Sequence, residues 1–120
     1  MKTWAVVGLG NNPERAAFGV AKLLQDKGHR IIPVYPRAET VHGELGYKTL
    51  SEIPVLVDVV DCFVNSTLVG KVVDEAIAIG AKAVWLQLDV IDNDAIARAQ
   101  AAGLITVMDR CPAIEYREKN

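Results

Sequence analysis

Trp4–Arg15 reads WAVVGLGNNPER, a short apolar run that ends on Gly-x-Gly and opens into Asn-Asn-Pro-x-Arg. Trp4–Val7 has the length and β-branched content of a buried strand, and the residues after it are turn formers. Gly8 and Gly10 permit a sharp turn and leave room for close approach to the backbone. Beyond them Ala17, Val20, Ala21 and Leu24 recur with the spacing of one helix face. The unit is strand, glycine-rich turn, helix. Helix N-termini gather free N–H groups and partial positive charge, a combination that favours phosphate. Pro13 suits a first helical position, so the helix is expected to open there or a few residues later.

The alternation continues outward from this unit. Gly28 is placed to cap the first helix, and Arg30–Tyr35 (RIIPVY) is a second strand in which Pro33 removes one ladder donor. Arg37–Tyr47 is a polar loop, and Thr49–Ile53 is expected to make a single helical turn. Val55–Phe63 (VLVDVVDCF) reads as a third strand, followed by a helix over Val69–Ile79. Ala83–Leu88 is a fourth strand and Leu104–Met108 a fifth. Between them Asp92 is expected to cap a helix over Asn93–Ala102, with Ile91 and Ile96 placed as a hydrophobic staple.

Bulk properties narrow the function. The chain has 120 residues, enough for one domain with its own core, and no apolar run approaches the length of about 18 that spans a bilayer. Met1-Lys2-Thr3 runs straight into a strand, so no signal peptide or transit segment is expected. A formal charge of −2 offers no general attraction to nucleic acid or an anionic membrane. Cys62 and Cys111 lack metal-ligand spacing and suit a reducing compartment, which points to the cytoplasm.

Strands alternating with helices predict an α/β, Rossmann-like three-layer fold around a five-stranded parallel sheet. The order expected is 3-2-1-4-5, which places the ligand crevice at the carboxyl edge between strands 1 and 4. That edge would collect Gly8–Arg15, Tyr35–Arg37, Cys62–Ser66, Gln87–Asp89 and Asp109–Pro112. A dinucleotide is disfavoured. Pro13 stands where the G-x-G-x-x-G fingerprint needs glycine, and Tyr35-Pro36-Arg37 replaces the acid that holds the ribose. A cation at Arg37 instead suits a phosphate on the adenosine ribose, as in NADP and coenzyme A.

VVGLGNNPER, GHRIIPVYPR, VHGELGYKTLSEIP, VDVVDCFVNS, DEAIAIGAKAVWLQL and VMDRCPAIE occur in that order. Over Trp4–Glu115 the chain resembles the bacterial CoA-binding domain proteins, which are similar to the N-terminal CoA-binding domain of the succinyl-CoA synthetase α subunit. The resemblance implies coenzyme A as cofactor, with its pyrophosphate near Gly8, Gly10, Asn11, Asn12, Pro13 and Arg15. It places the adenosine end near Tyr35, Pro36 and Arg37, and brings Phe63, Asn65, Ser66 and Gln87 to the ligand's side of the sheet. Two positions depart from the family pattern: Val64 stands where arginine is common, and Asp89 where glycine is usual.

No Ser-His-Asp set, metal-ligand spacing or P-loop lysine is present, so no catalytic or metal residue is assigned. Asp58 and Asp61, three apart in one strand, face opposite sides and are expected near the sheet's ends. His29 and His42 are expected at the solvated surface, Trp4 and Trp85 in the core, and Asp109-Arg110 as an ion pair. The order 3-2-1-4-5 puts Cys62 and Cys111 at opposite edges, too far apart for a disulfide. Cys111 beside Arg110 is a candidate for a mixed disulfide with the thiol of CoA. The reading is of a protein that binds coenzyme A or an acyl-CoA as a non-catalytic carrier, sensor or accessory protein. The alternatives are an NAD(P)-binding oxidoreductase module and a Rossmann-fold interaction module without its ligand. The protein partner is left open.

Overall fold

A computed structural model describes residues 2–110. Five strands and three helices alternate: β1 (Thr3–Val7), α1 (Ala16–Asp26), β2 (Arg30–Val34), β3 (Val59–Cys62), α2 (Ser66–Ala78), β4 (Ala83–Leu86), α3 (Asn93–Ala101) and β5 (Ile105–Val107). All strand pairs are parallel. Between β2 and β3 the chain makes only the short 3-10 turn Leu50–Glu52 where a full helix would stand.

Side chains alternate across the strands and so divide between two layers. Trp4, Val6, Ile31 and Val59 pack with Ala17, Val20, Ala21 and Leu24 of α1 on one face. Ala5, Val7, Val60, Cys62, Val84 and Leu86 pack on the other with Val69, Val73 and Ala76 of α2 and Ala95 and Ala99 of α3. The result is the expected Rossmann-like, three-layer α/β architecture.

The strand order is β2-β1-β3-β4-β5, which corrects the expected 3-2-1-4-5. β3 lies beside β1, not outside β2. Two features explain this. Pro33 lacks a ladder donor and is tolerated on an edge strand, and β2 is that edge. β3 is buried at all four residues, as a strand between two neighbours should be. The crevice therefore opens between β1 and β3. There Phe63 N donates to the Val7 carbonyl at 2.9 Å, while on the other side of β1 Gly8 N donates to the Val34 carbonyl of β2 at 2.8 Å.

Element boundaries differ where local chemistry was ambiguous. β3 begins at Val59 because Val55 and Leu56, though apolar, lie exposed in the preceding loop. The polar Ser66 and Thr67 open α2 ahead of its first apolar residue at the buried face. α1 starts at Ala16; Pro13 falls in a turn where Arg15 N donates to Asn12 O at 3.1 Å. Asp92 caps α3 as expected, its Oδ1 accepting from Ala95 N at 3.0 Å, while Ile91 is exposed.

Candidate functional site

Two adjoining cavities lie at the carboxyl edge. The smaller, of about 400 Å³, is bounded by Gly8, Gly10, Asn11, Asn12, Arg15, Tyr35, Arg37 and Glu39. The larger, of about 710 Å³, has walls of Val7, Val34, Pro36, Phe63, Val64, Leu68, Val72, Leu88 and Val90, with Arg15, Lys48, Lys71, Asn65 and Gln87 among its polar lining. Gly8, Arg15 and Tyr35 border both, so a single elongated ligand could reach from one into the other.

The glycine-rich loop is held by the loop after β2. Asn11 N donates to Glu39 Oε1 and Asn11 Nδ2 to the Thr40 carbonyl, each at 2.8 Å. Arg15 is the N-cap of α1, and no side chain caps that end. The first-turn residues Ala16 and Ala17 line the larger cavity, while Arg15 and Arg37 border the smaller one together with the carboxylate of Glu39. The Arg37 guanidinium lies 5.8 Å from the centre of the Tyr35 ring.

Of the residues singled out from the sequence, Gly8, Gly10, Asn11, Asn12, Arg15, Tyr35, Pro36, Arg37, Phe63, Asn65 and Gln87 border one cavity or the other. Pro13 and Ser66 border neither. Ser66 Oγ instead accepts from Ile91 N at 2.9 Å and donates to the Asp89 carbonyl at 3.3 Å, tying α2 to the loop after β4. Sequence reasoning missed Lys48, Thr49, Leu68, Lys71, Val72 and Glu75. Leu68, Lys71, Val72 and Glu75 share a helix face, but their spacing does not reveal whether that face meets a groove or the core.

Both departures from the family pattern have a local account. Val64 is half-buried against the core and lines the larger cavity. Asp89 adopts φ +66°, a conformation that glycine enters at least cost, and its N–H donates to Asp109 Oδ1 at 2.6 Å.

Asp61 stands near the carboxyl end of β3, one residue before its last, as expected. It lies between Val6 of β1 and Trp85 of β4 and, with neighbours on both sides, is fully buried. Burial pushes its carboxyl up to about 8, against the smaller opposite effect of the hydrogen bond from Gln87. Gln87 Nε2 donates to Asp61 Oδ1, while Oδ2 makes no hydrogen bond among the described residues. Asp58, at the opposite end of β3, accepts from Thr3 N at 2.8 Å, and that bond holds its carboxyl below the usual range with help from Lys82 at 3.5 Å.

The histidines also depart from expectation, since both are half-buried. His42 Nε2 meets the Phe18 carbonyl at 2.8 Å, with the two rings 4.3 Å apart. His29 Nδ1 accepts from Lys2 N at 3.2 Å, and burial lowers its pKa. Trp4 and Trp85 sit in strands separated by β3, yet their rings approach to 5.7 Å above it. Trp4 is buried and Trp85 half-buried, its Nε1 donating to the Arg110 carbonyl at 2.8 Å. Asp109 Oδ1 is engaged by the Asp89 N–H. Burial pushes the Cys62 thiol up. Cys111 and Pro112 lie outside the described residues. The corrected order puts β3 inside the sheet, two strands from β5 and roughly 10 Å away, so Cys62 is not at the edge opposite β5.

Comparison with known proteins agrees with this geometry. The YneT protein of Bacillus subtilis is 33% identical over 115 residues, covering 96% of this chain and 85% of that protein. The α subunit of the ADP-forming acetate–CoA ligase II of Pyrococcus furiosus is 35% identical over 81 residues, 67% of this chain but only 18% of that protein. A hypothetical protein from Pyrococcus horikoshii OT3 superposes with a TM-score of 0.93 at 39% identity, covering 98% of this chain and 82% of that one. Residues 2–117 match the CoA binding domain family, and with nearly the full length matched the chain belongs to that family.

Proposed function

We propose that this protein binds coenzyme A, or an acyl-CoA, along the carboxyl edge of its sheet, as a cytoplasmic carrier, sensor or accessory protein without chemistry of its own. The observation that carries the reading is the adjoining pair of cavities, with a cation at Arg37 where a dinucleotide fold places an acid. The strand order supports a direction for the ligand. Adenosine at Tyr35–Arg37 lies at the end of β2, and pyrophosphate at Gly8–Arg15 lies at the end of β1. The pantetheine arm then runs over β3 and β4, past Phe63, Asn65 and Gln87. Arg15 and Arg37 supply positive charge to the phosphates, and Lys48 and Lys71 line the larger cavity. Among the described residues, no helix is long and apolar enough to cross a membrane.

Calorimetric titration tests this reading. Coenzyme A should bind more tightly than NAD or NADP. Arg37→Ala should weaken coenzyme A by about tenfold, the low end for a charge-assisted bond at an exposed site, and dephospho-CoA by much less. Equal losses for the two ligands remove Arg37 from the ribose phosphate. NAD binding more tightly than coenzyme A overturns the function itself.

A further inference from the structure

Asp61 is fully buried, and its one hydrogen bond among the described residues comes from Gln87. Gln87 is itself 5% exposed and lines the larger cavity beyond the ends of β3 and β4. A buried carboxylate with one oxygen unpartnered is costly, whereas a neutral carboxylic acid carries its own donor. A carboxylic acid and a primary amide side by side satisfy each other twice. The acid O–H donates to the amide oxygen, and one amide N–H donates to the acid carbonyl. Gln87 Nε2 already faces Asp61 Oδ1, so a proton on Oδ2 directed at Gln87 Oε1 completes the pair and gives the orphaned oxygen a partner. One amide N–H of Gln87 then remains unused.

We propose that Asp61 is a positioning residue, which pairs with Gln87 through two hydrogen bonds and aims the remaining Gln87 N–H into the cavity as a donor to a carbonyl oxygen of the pantetheine arm. This rests on the coenzyme A reading and on the direction that the strand order gives the ligand. Gln87 thereby distinguishes a ligand that carries the arm from the nucleotide alone. The amide is otherwise free to turn its oxygen outward, where it would repel the same carbonyl. A locked orientation removes that competing state before the ligand arrives.

The test compares coenzyme A with adenosine 3′,5′-diphosphate, its nucleotide portion without the arm. Asp61→Asn keeps a donor and an acceptor in the same places, so it should bind coenzyme A within about twofold of wild type. Asp61→Val and Gln87→Met should weaken coenzyme A by about tenfold and leave the diphosphate unchanged. Equal losses for both ligands, or none for coenzyme A, overturn the proposal while leaving the coenzyme A reading intact. A wild type that binds neither ligand overturns both. Where Asp61→Val does not fold, NMR of the wild type decides. The Asp61 carboxyl carbon should have its protonated shift at neutral pH. One Gln87 amide proton should resist solvent exchange while the other moves when coenzyme A is added. An ionised Asp61, or Gln87 amide protons that both exchange freely, contradict the pair.

Discussion

The protein should lose about 4 kcal/mol of stability between about pH 5 and pH 8, and Asp61→Asn should abolish that loss. The sign follows from Asp61, whose carboxyl is held at about 8 in the fold against 3.8 for the free side chain. Between those values the folded protein keeps a proton that the unfolded chain has released. Stability therefore falls as pH rises, by about 1.4 kcal/mol per unit, until the folded carboxyl also ionises. His29 acts oppositely, in the acidic part of the same range. Its pKa is lowered from 6.5, so its contribution to stability is present above 6.5 and is lost as pH falls. Asp58 is lowered from 3.8 and matters only in more acidic solution. The Cys62 thiol beside Asp61 is pushed up and stays neutral throughout. Urea unfolding at several pH values, wild type against Asp61→Asn, isolates the Asp61 effect because the other groups cancel. Parallel curves for the two proteins would show that Asp61 is ionised in the fold.

Gly8→Ala should destabilise by about 3–5 kcal/mol, combining a left-handed backbone with overpacking. Gly8 has φ +99°, and a Cβ there would stand 2.3 Å from the Phe63 carbonyl oxygen. The Cβ is fixed by the backbone and the atom it meets is a backbone oxygen, each just past the end of its strand, so no side-chain rotation relieves the overlap. The same residue pair marks where β1 and β3 part to open the crevice, which links the glycine to the site as well as to the fold. Gly19 in α1 provides the contrast, because a Cβ there meets nothing within 4 Å. Gly19→Ala should gain about 0.5–1 kcal/mol. Denaturation midpoints check both, and a Gly8→Ala protein as stable as wild type would place β1 and β3 differently.

Much of the architecture was legible because helix and strand periods are local. The α1 face of Ala17, Val20, Ala21 and Leu24 is buried as its spacing demands, and Asp92 caps α3 through the bond that its position suggested. Strand order is not local. The clue was present in Pro33, which belongs on an edge, but its weight appears only when candidate orders are compared. The burial of Asp61 was unreadable for a related reason. Its place near a strand end was legible, but only the pairing of β3 with β4 shows that it is enclosed there with Gln87 beside it. Lys48 and Lys71 reach the larger cavity from a loop and a helix far apart in sequence, so no motif joins them.

The central claim is that coenzyme A lies along the carboxyl edge in the order of the strands. A crystal structure of the protein with coenzyme A tests it most directly. Adenosine is expected against Tyr35–Arg37, pyrophosphate at Gly8–Arg15 and the pantetheine arm over Phe63 and Gln87. Coenzyme A bound away from the crevice between β1 and β3, or running in the reverse direction along it, would contradict the account.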